Sequence, residues 1–288
     1  MKTIAGEHTL ETAGKLYIVP TPIGNLDDIT LRALDVLKQV DVIAAEDTRH
    51  SRKLMQHYQI DTRLIALHEH NESQKAQQVI EKLKEGVNMA LISDAGTPLI
   101  SDPGYHLVNA CREAGMNVIP LPGACAAITA LSASGLPTDS FVFYGFLPAK
   151  GQAKADKIQA LEAVTATAVF YESPRRVLDT VSQIAELLGS ERGVVLAREL
   201  TKTFESYFSG SAAEAKEWLE QDDNHQRGEF VLMVAGASKQ EHDVPVEAVN
   251  LLKALMAELP LKKAAAITAQ HFDLKKNSLY QLGLSLDQ

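Results

Sequence analysis

Short apolar runs alternate with longer stretches of helical spacing through the first half of this chain, and that rhythm restricts the fold more than any single residue does. Residues 15–20, 41–45, 64–67, 89–93 and 117–120 read as strands. Between them, stretches beginning at Leu31 and covering 51–58, 72–84 and 124–134 read as helices. Thr30 is the expected N-cap of the first helix, with Leu31, Leu34 and Leu37 on one face, and Gly86 follows the third strand's helix as its stop. Strands separated by helices of this length predict a mostly parallel sheet with right-handed crossovers.

The stretch after the fourth strand stands out. Met89-Ala-Leu-Ile-Ser93 runs into Asp94-Ala-Gly-Thr-Pro-Leu-Ile-Ser101, where Gly96 and Pro98 break regular structure. A helix is expected to start behind Asp102-Pro103, with Asp102 as N-cap and Pro103 at the first helical position, and to end near Gly115. A small-residue turn at the carboxyl end of a strand is where an open α/β sheet usually holds its ligand. The turn lacks the Gly-Lys-Ser/Thr ending of a Walker A loop and the spacing of a dinucleotide fingerprint, so neither nucleoside triphosphates nor dinucleotides are indicated.

Gly135-Leu-Pro137 marks a domain boundary. Beyond it, 140–144, 168–171, 193–197, 204–209 and 230–235 read as strands, with helices over 150–164, 177–188 and 212–219. Strands adjacent in sequence are commoner here, which predicts a mixed sheet. From Asp243 onward, Pro245 and Pro260 each open a helix and a short third helix lies near Ser278. The expected organisation is therefore an arm over 1–14, α/β domains over 15–136 and 137–238, and a helical module over 243–288. A chain of 288 residues is long for one core and suits this division.

Composition narrows the class. Apolar content of 45% with 23% charged residues is ordinary for a globular protein. Residues 1–14 are polar without an apolar core, so they read as a mobile arm and not as a signal peptide or membrane span. Cys111 and Cys125 fall in expected buried helices and cannot build a disulfide framework, which fits a reducing cytoplasm. The net charge of −9 argues against a protein that coats nucleic acid but leaves room for local basic surface. His68-Glu-His70 shares a face only on a strand and has no evident third ligand, so no metal site is expected; contact with RNA or a polar seam fits better.

Five motifs occur in order: Pro20-Thr-Pro-Ile-Gly-Asn-Leu26, Ala45-Glu-Asp-Thr-Arg49, Ser93 to Gly104, Pro122-Gly-Ala124 and Phe170-Tyr-Glu-Ser-Pro-Arg175. Together they resemble the S-adenosylmethionine enzymes of the tetrapyrrole-methylase fold. More closely, they resemble the branch that methylates the ribose 2′-hydroxyl of a cytidine in 16S ribosomal RNA. The porphyrin and corrin methylases carry a Gly-x-Gly-Pro-Gly-Asp run where this chain has Pro20-Thr-Pro-Ile-Gly-Asn25, and a Gly-Asp-Pro turn where it has Gly96-Thr-Pro98. Both departures favour the RNA branch.

The resemblance implies two α/β domains with S-adenosylmethionine in the cleft between them. It places the cofactor against Pro22, Ser93, Asp94, Ala95, Gly96, Thr97, Pro98, Ser101, Ala124 and Tyr171, held mainly by backbone groups, with 230–233 in the second wall. Asp94 also reads as a turn-forming residue, as does Pro22. A ribose hydroxyl is almost wholly protonated at neutral pH, so a base or cation would help. The acceptor candidates are Glu46, Asp47, Glu172 and Glu199, and the cation candidates are Arg175, Arg198 and Lys202. Residues 46–49 could instead be a helix cap with a salt bridge, and Arg198-Glu199 an internal ion pair. RNA contacts are expected at Arg49, His68, His70, Arg176, Lys262, Lys263, Lys275 and Lys276, although the lysines could equally be a solvated helix surface. The implied partner is 16S rRNA within the small subunit, and the implied assembly a homodimer. A tetrapyrrole-type small-molecule methylase and a nonenzymatic RNA-binding assembly factor remain the alternatives.

Overall fold

The computed structural model describes residues 13–68, 71–237 and 244–286. The expected arm, apart from its last two residues, and His70 lie outside them. The described chain divides into two compact units: one takes in Ala166–Ala235 and everything up to Glu162, and the other takes in Ala163–Thr165 and everything from Gly236.

The larger unit holds two five-stranded sheets. In the first, β1 (Lys15–Ile18), β2 (Val42–Ala45), β3 (Arg63–Ala66), β4 (Met89–Ile92) and β5 (Asn117–Pro120) lie in the order β3-β2-β4-β1-β5. Every neighbouring pair is parallel. Period-two alternation sorts the side chains between the faces. Leu16, Ile18, Val42, Ala44, Met89 and Leu91 enter one core beneath α3 (Glu72–Lys84) and α4 (Tyr105–Glu113). Val19, Ile43, Ala45, Ala90 and Ile92 enter another with α1 (Leu31–Gln39) and α2 (Thr48–His57). Burial on both faces is what a parallel sheet requires. The carboxyl ends of β2, β4 and β1 therefore emerge side by side, carrying the turns on which the site is built.

The second sheet contains β6 (Phe141–Phe146), β7 (Thr167–Glu172), β8 (Gly193–Arg198), β9 (Ser206–Ser211) and β10 (Phe230–Val234) in the order β6-β7-β10-β8-β9. Only β6 and β7 pair in parallel; β10 runs antiparallel between β7 and β8, so the sheet is mixed as expected. The small-residue helix α5 (Ala126–Ser132) lays Ala127, Ala130 and Leu131 against Val169, Val195 and Met233 of this sheet. Helices α6 (Gln152–Gln159), α7 (Val177–Leu188) and α8 (Ala212–Gln221) complete the unit.

Thr30 caps α1 as expected, its side chain accepting from the Ala33 amide at 3.1 Å. Leu31 departs from the expected apolar face: it is 81% exposed, while Leu37 is buried. Helix α2 starts at Thr48 rather than 51, because Asp47 caps it. Cys125 stands just before α5 rather than inside a helix.

The smaller unit packs α9 (Val246–Met256), α10 (Leu261–Phe272) and α11 (Lys276–Leu286) around Leu252, Ala264, Ala265, Ala269 and Leu279. Pro245 and Pro260 sit at the N-cap positions of α9 and α10, one residue ahead of the helical turn. Among the described residues no helix is long and apolar enough to cross a membrane.

Candidate active site

The turn after β4 is stitched to its neighbours. Thr21 and Gly96 exchange both backbone hydrogen bonds, at 2.9 and 3.0 Å. The Thr21 hydroxyl donates to the Ser93 carbonyl and the Thr97 hydroxyl to the Ala124 carbonyl. Gly96 has φ +80°, a conformation open to glycine and strained for residues with a Cβ. Its backbone N–H and C=O both bond to Thr21. Glycine is required here by the shape of the turn.

Past Pro98 the loop bends through two left-handed residues that are not glycine, Leu99 (φ +74°) and Ser101 (φ +66°). Each such conformation costs on the order of 1–3 kcal/mol and persists where the surrounding structure holds it. Helix α4 then begins at Tyr105, two residues later than expected, behind Gly104 with φ +127°. Asp102 does not cap it. The carboxylate of Glu72, from the start of α3, accepts from the buried Leu107 amide at 2.7 Å and serves the first turn of α4. Asp102 is left on the loop, facing a cavity.

That cavity has a volume of about 410 Å³. Ile23, the 95–97 turn, Ile100, Ser101, Asp102 and Ala126 form one wall. The other comes from the second sheet: Phe146, 171–174, Ala197, Leu200 and 229–231. Two devices shape this second wall. A bulge in β6 between Phe143 and Gly145, with Gly145 at φ +67°, shifts the register so that Phe146 ends 56% exposed at the cavity. Tyr171 accepts from the Ala127 amide through its hydroxyl at 3.3 Å and packs edge-on against Phe143 and Phe146. Burial raises its pKa well above the usual phenol value.

Of the residues expected at the cofactor, Ala95, Gly96, Thr97, Ser101 and Tyr171 line the cavity; Pro22, Ser93, Asp94, Pro98 and Ala124 are not among its lining. Asp94 accepts from the Asp47 amide at 3.1 Å and so ties the β2 and β4 turns together. Ile23, Ile100, Asp102, Ala126, Phe146, Ala197, Leu200 and Glu229 went unanticipated. The left-handed residues around Asp102 leave no mark in a sequence, and the bulge that aims Phe146 shows only as the glycine in Tyr144-Gly-Phe146.

The candidate catalytic groups are mostly engaged in holding the walls. Glu172 is 2% exposed; its oxygens accept from the Ser173 amide at 2.8 Å and the Thr180 hydroxyl at 2.7 Å. Arg176 lies beside it, Nε at 3.2 Å, and donates to the Leu147 and Pro148 carbonyls at 2.7 and 2.9 Å. Arg176 was expected to meet RNA, but its guanidinium is committed inside the protein. Arg198 donates to the Arg227 and Phe204 carbonyls. Lys202 bridges Glu199 and Glu229 at 2.9 and 2.8 Å.

Asp47 accepts from the amide and guanidinium of Arg49, so the 46–49 segment is a helix cap with a salt bridge, and Arg49 holds the Asp47 carboxyl below the usual range. Glu46 is half-buried, and desolvation, with Asp94 next in effect, raises its pKa. His68 donates its amide to the Asn71 side chain at 3.0 Å. Arg175 is exposed and makes no hydrogen bond or ion pair among the described residues. Lys262, Lys263, Lys275 and Lys276 are all exposed on the helical unit. Among the described residues no cluster of His, Cys, Asp and Glu is arranged to hold a metal ion.

Comparisons with known proteins agree with this architecture. Residues 15–216 match the family model of tetrapyrrole (corrin/porphyrin) methylases, and 242–287 match the model of the RsmI C-terminal HTH domain. Ribosomal RNA small subunit methyltransferase I of Escherichia coli O157:H7 is 58% identical over 94% of this chain and 95% of its own length. The protein of that name from Vibrio cholerae is 59% identical over 93% and 94%. Among solved structures, diphthine synthase matches with TM-score 0.60 at 14% identity, covering 77% of this chain and 90% of that one. Uroporphyrin-III-C-methyltransferase from Thermus thermophilus matches with TM-score 0.54 at 24% identity, covering 77% and 94%. These distant likenesses carry the fold alone. With a family model over most of its length and relatives of this identity end to end, the chain belongs to the ribosomal RNA small subunit methyltransferase I family of the tetrapyrrole methylases.

Proposed function

We propose that this protein transfers the methyl group of S-adenosylmethionine to the ribose 2′-hydroxyl of a cytidine in 16S rRNA, acting in the cytoplasm on the small ribosomal subunit as a homodimer. The observation that carries the reading is the cavity between the 95–102 turn and the second sheet, in a chain whose relatives bear the name ribosomal RNA small subunit methyltransferase I. Its lining fits the cofactor. Ile23, Ala126, Phe230 and Val231 offer apolar surface for an adenine ring, while Glu229 places a carboxylate beside a ligand that carries positive charge. About 410 Å³ lies at the low end of small-molecule sites, roughly 300–1,000 Å³, which suits one cofactor better than a cofactor with a macrocycle beside it.

S-adenosylmethionine, when bound, supplies an electrophilic methyl group on a sulfonium. The protein's part is alignment and exclusion of water. Gly96 and Thr97 fix the turn by their bonds to Thr21 and Ala124. The Glu172–Arg176 pair holds the 172–176 segment over the cavity and leaves Arg175 free to grip a phosphate beside the target ribose. The lysines of α10 and α11 supply further phosphate contacts.

The test is radiolabelled methyl transfer to small ribosomal subunits lacking the modification, followed by nucleoside analysis. Label in 2′-O-methylcytidine is expected. Label on a base would overturn the ribose assignment, and transfer to a porphyrinoid but not to RNA would return the small-molecule reading.

A further inference from the structure

We infer that Asp102 accepts the proton of the attacking ribose hydroxyl; the inference rests on the function proposed above and assigns its missing base. Three carboxylates line the cavity, Asp102, Glu172 and Glu229. Both oxygens of Glu172 are occupied inside the protein, and its side chain has no solvent exposure. Glu229 is bridged to Lys202 at 2.8 Å. Asp47, outside the lining, is held by Arg49, and Glu199 is held by Lys202 and the Glu229 amide. Among the lining carboxylates of the described residues, Asp102 is the one neither enclosed nor ion-paired, and Glu46 is not among the lining residues.

The backbone supports that role. An Asp just ahead of a helix ordinarily caps it, yet here Glu72 reaches across from α3 to the Leu107 amide, and Asp102 is turned away between left-handed Ser101 and Gly104. The groups around it are the Ser93 hydroxyl, Glu46 from the end of β2, Asp94 from the same turn and Tyr171 from β7. The charged ones acting on Asp102, Glu46 and Asp94, are both acidic. Burial, with that repulsion, pushes its pKa up to about 6. The carboxyl is therefore ionised at neutral pH and a stronger base than an ordinary aspartate. In the step, the hydroxyl oxygen bonds the methyl carbon as the carbon–sulfur bond breaks and its electron pair passes to sulfur. The hydroxyl proton moves to a carboxylate oxygen of Asp102 and from there to solvent.

The experiment compares wild type, Asp102→Asn and Asp102→Glu in single-turnover methyl transfer to small subunits at saturating cofactor, over a pH range of roughly 5 to 9. Calorimetric S-adenosylmethionine affinity and melting temperature are measured in parallel. The wild-type rate should rise through pH about 6 and level off. Asp102→Asn should lose on the order of 10²-fold or more and show no such limb, with cofactor affinity within about threefold, while Asp102→Glu recovers part of the rate.

Melting gives a readout independent of turnover. A carboxyl whose pKa rises from 3.8 to about 6 on folding destabilises the native state once ionised, so stability falls as pH rises through that window. Asp102→Asn should therefore melt above wild type at pH above about 6, and the difference should close toward pH about 4. An Asp102→Asn rate above about a tenth of wild type, a rate lost only in proportion to cofactor affinity, or a pH-independent melting difference between Asp102→Asn and wild type would each overturn the assignment. Failure of wild type to label subunits would instead overturn the function on which it rests.

Discussion

Arg175 and Arg176 are neighbours with opposite fates, and the difference can be measured. Arg176 satisfies two backbone carbonyls and neutralises Glu172, which is buried. Removing one partner of such a pair leaves an uncompensated buried charge, at a cost of about 3–5 kcal/mol. Arg176→Ala should accordingly lower the melting temperature by roughly 6 °C or more for a unit of this size. Arg175→Ala removes an exposed side chain that bonds to none of the described residues and should stay within about 0.5 kcal/mol of wild type. Its effect should appear instead as weaker binding to the small subunit, read from equilibrium titrations at fixed salt. If Arg175→Ala binds subunits like wild type, phosphate contact at this position is wrong. The same contrast explains what a sequence can reveal at this scale. Asp47 and Arg49 are two residues apart, so a cap and salt bridge could be weighed beforehand; the carbonyls that engage Arg176 lie 28 and 29 residues away.

At the scale of elements, Glu72→Ala should strand the Leu107 amide in a buried position and destabilise the fold by about 1–3 kcal/mol, with faster hydrogen exchange at the amino end of α4. Unchanged exchange at Leu107 would show that another group serves that turn. Ala126→Leu tests the cavity without touching a strained backbone. The added side chain enters the lining from the first residue of α5, so S-adenosylmethionine affinity should fall by about tenfold or more while melting changes little. Gly96→Val is a poorer probe, because φ +80° makes any branched side chain costly before a ligand is considered. Most elements were readable for a physical reason. Leu16 and Ile18 face one way and Tyr17 and Val19 the other, so alternation in the sequence is alternation between two cores. The start of α4 was not readable, since Asp102-Pro103 carries good local capping chemistry and the group that prevails, Glu72, sits 35 residues from the amide it serves. Half of the expected cofactor residues are absent from the cavity lining for a related reason. Small residues mark where the turns are tight, and tightness serves the Thr21–Gly96 pairing as much as any ligand.

Over the whole molecule the charge is −9, so a protein that works on RNA must concentrate its attraction locally. The helical unit carries four exposed lysines in an unusual place. Lys262 and Lys263 stand in the first turn of α10, and Lys275 and Lys276 at the start of α11, with no acidic residue in either first turn. Cations at a helix amino end oppose the macrodipole by roughly 0.3–1 kcal/mol each. Lysines that only kept the surface solvated would gain by sitting at the carboxyl ends, so their position favours an anion as the partner. Replacing all four with Gln should leave the melting temperature equal to wild type or slightly higher, and leave cofactor affinity unchanged. Affinity for the small subunit should fall, and the dependence of log affinity on log salt should flatten by roughly 0.7 for each single-strand phosphate that the variant no longer neutralises. The slope separates the two meanings of the lysines, because a solvated surface releases no counterions on binding. A variant that binds subunits with wild-type affinity and wild-type slope would return these residues to the solvent and shift the search for RNA contacts to Arg175 and the exposed Arg49.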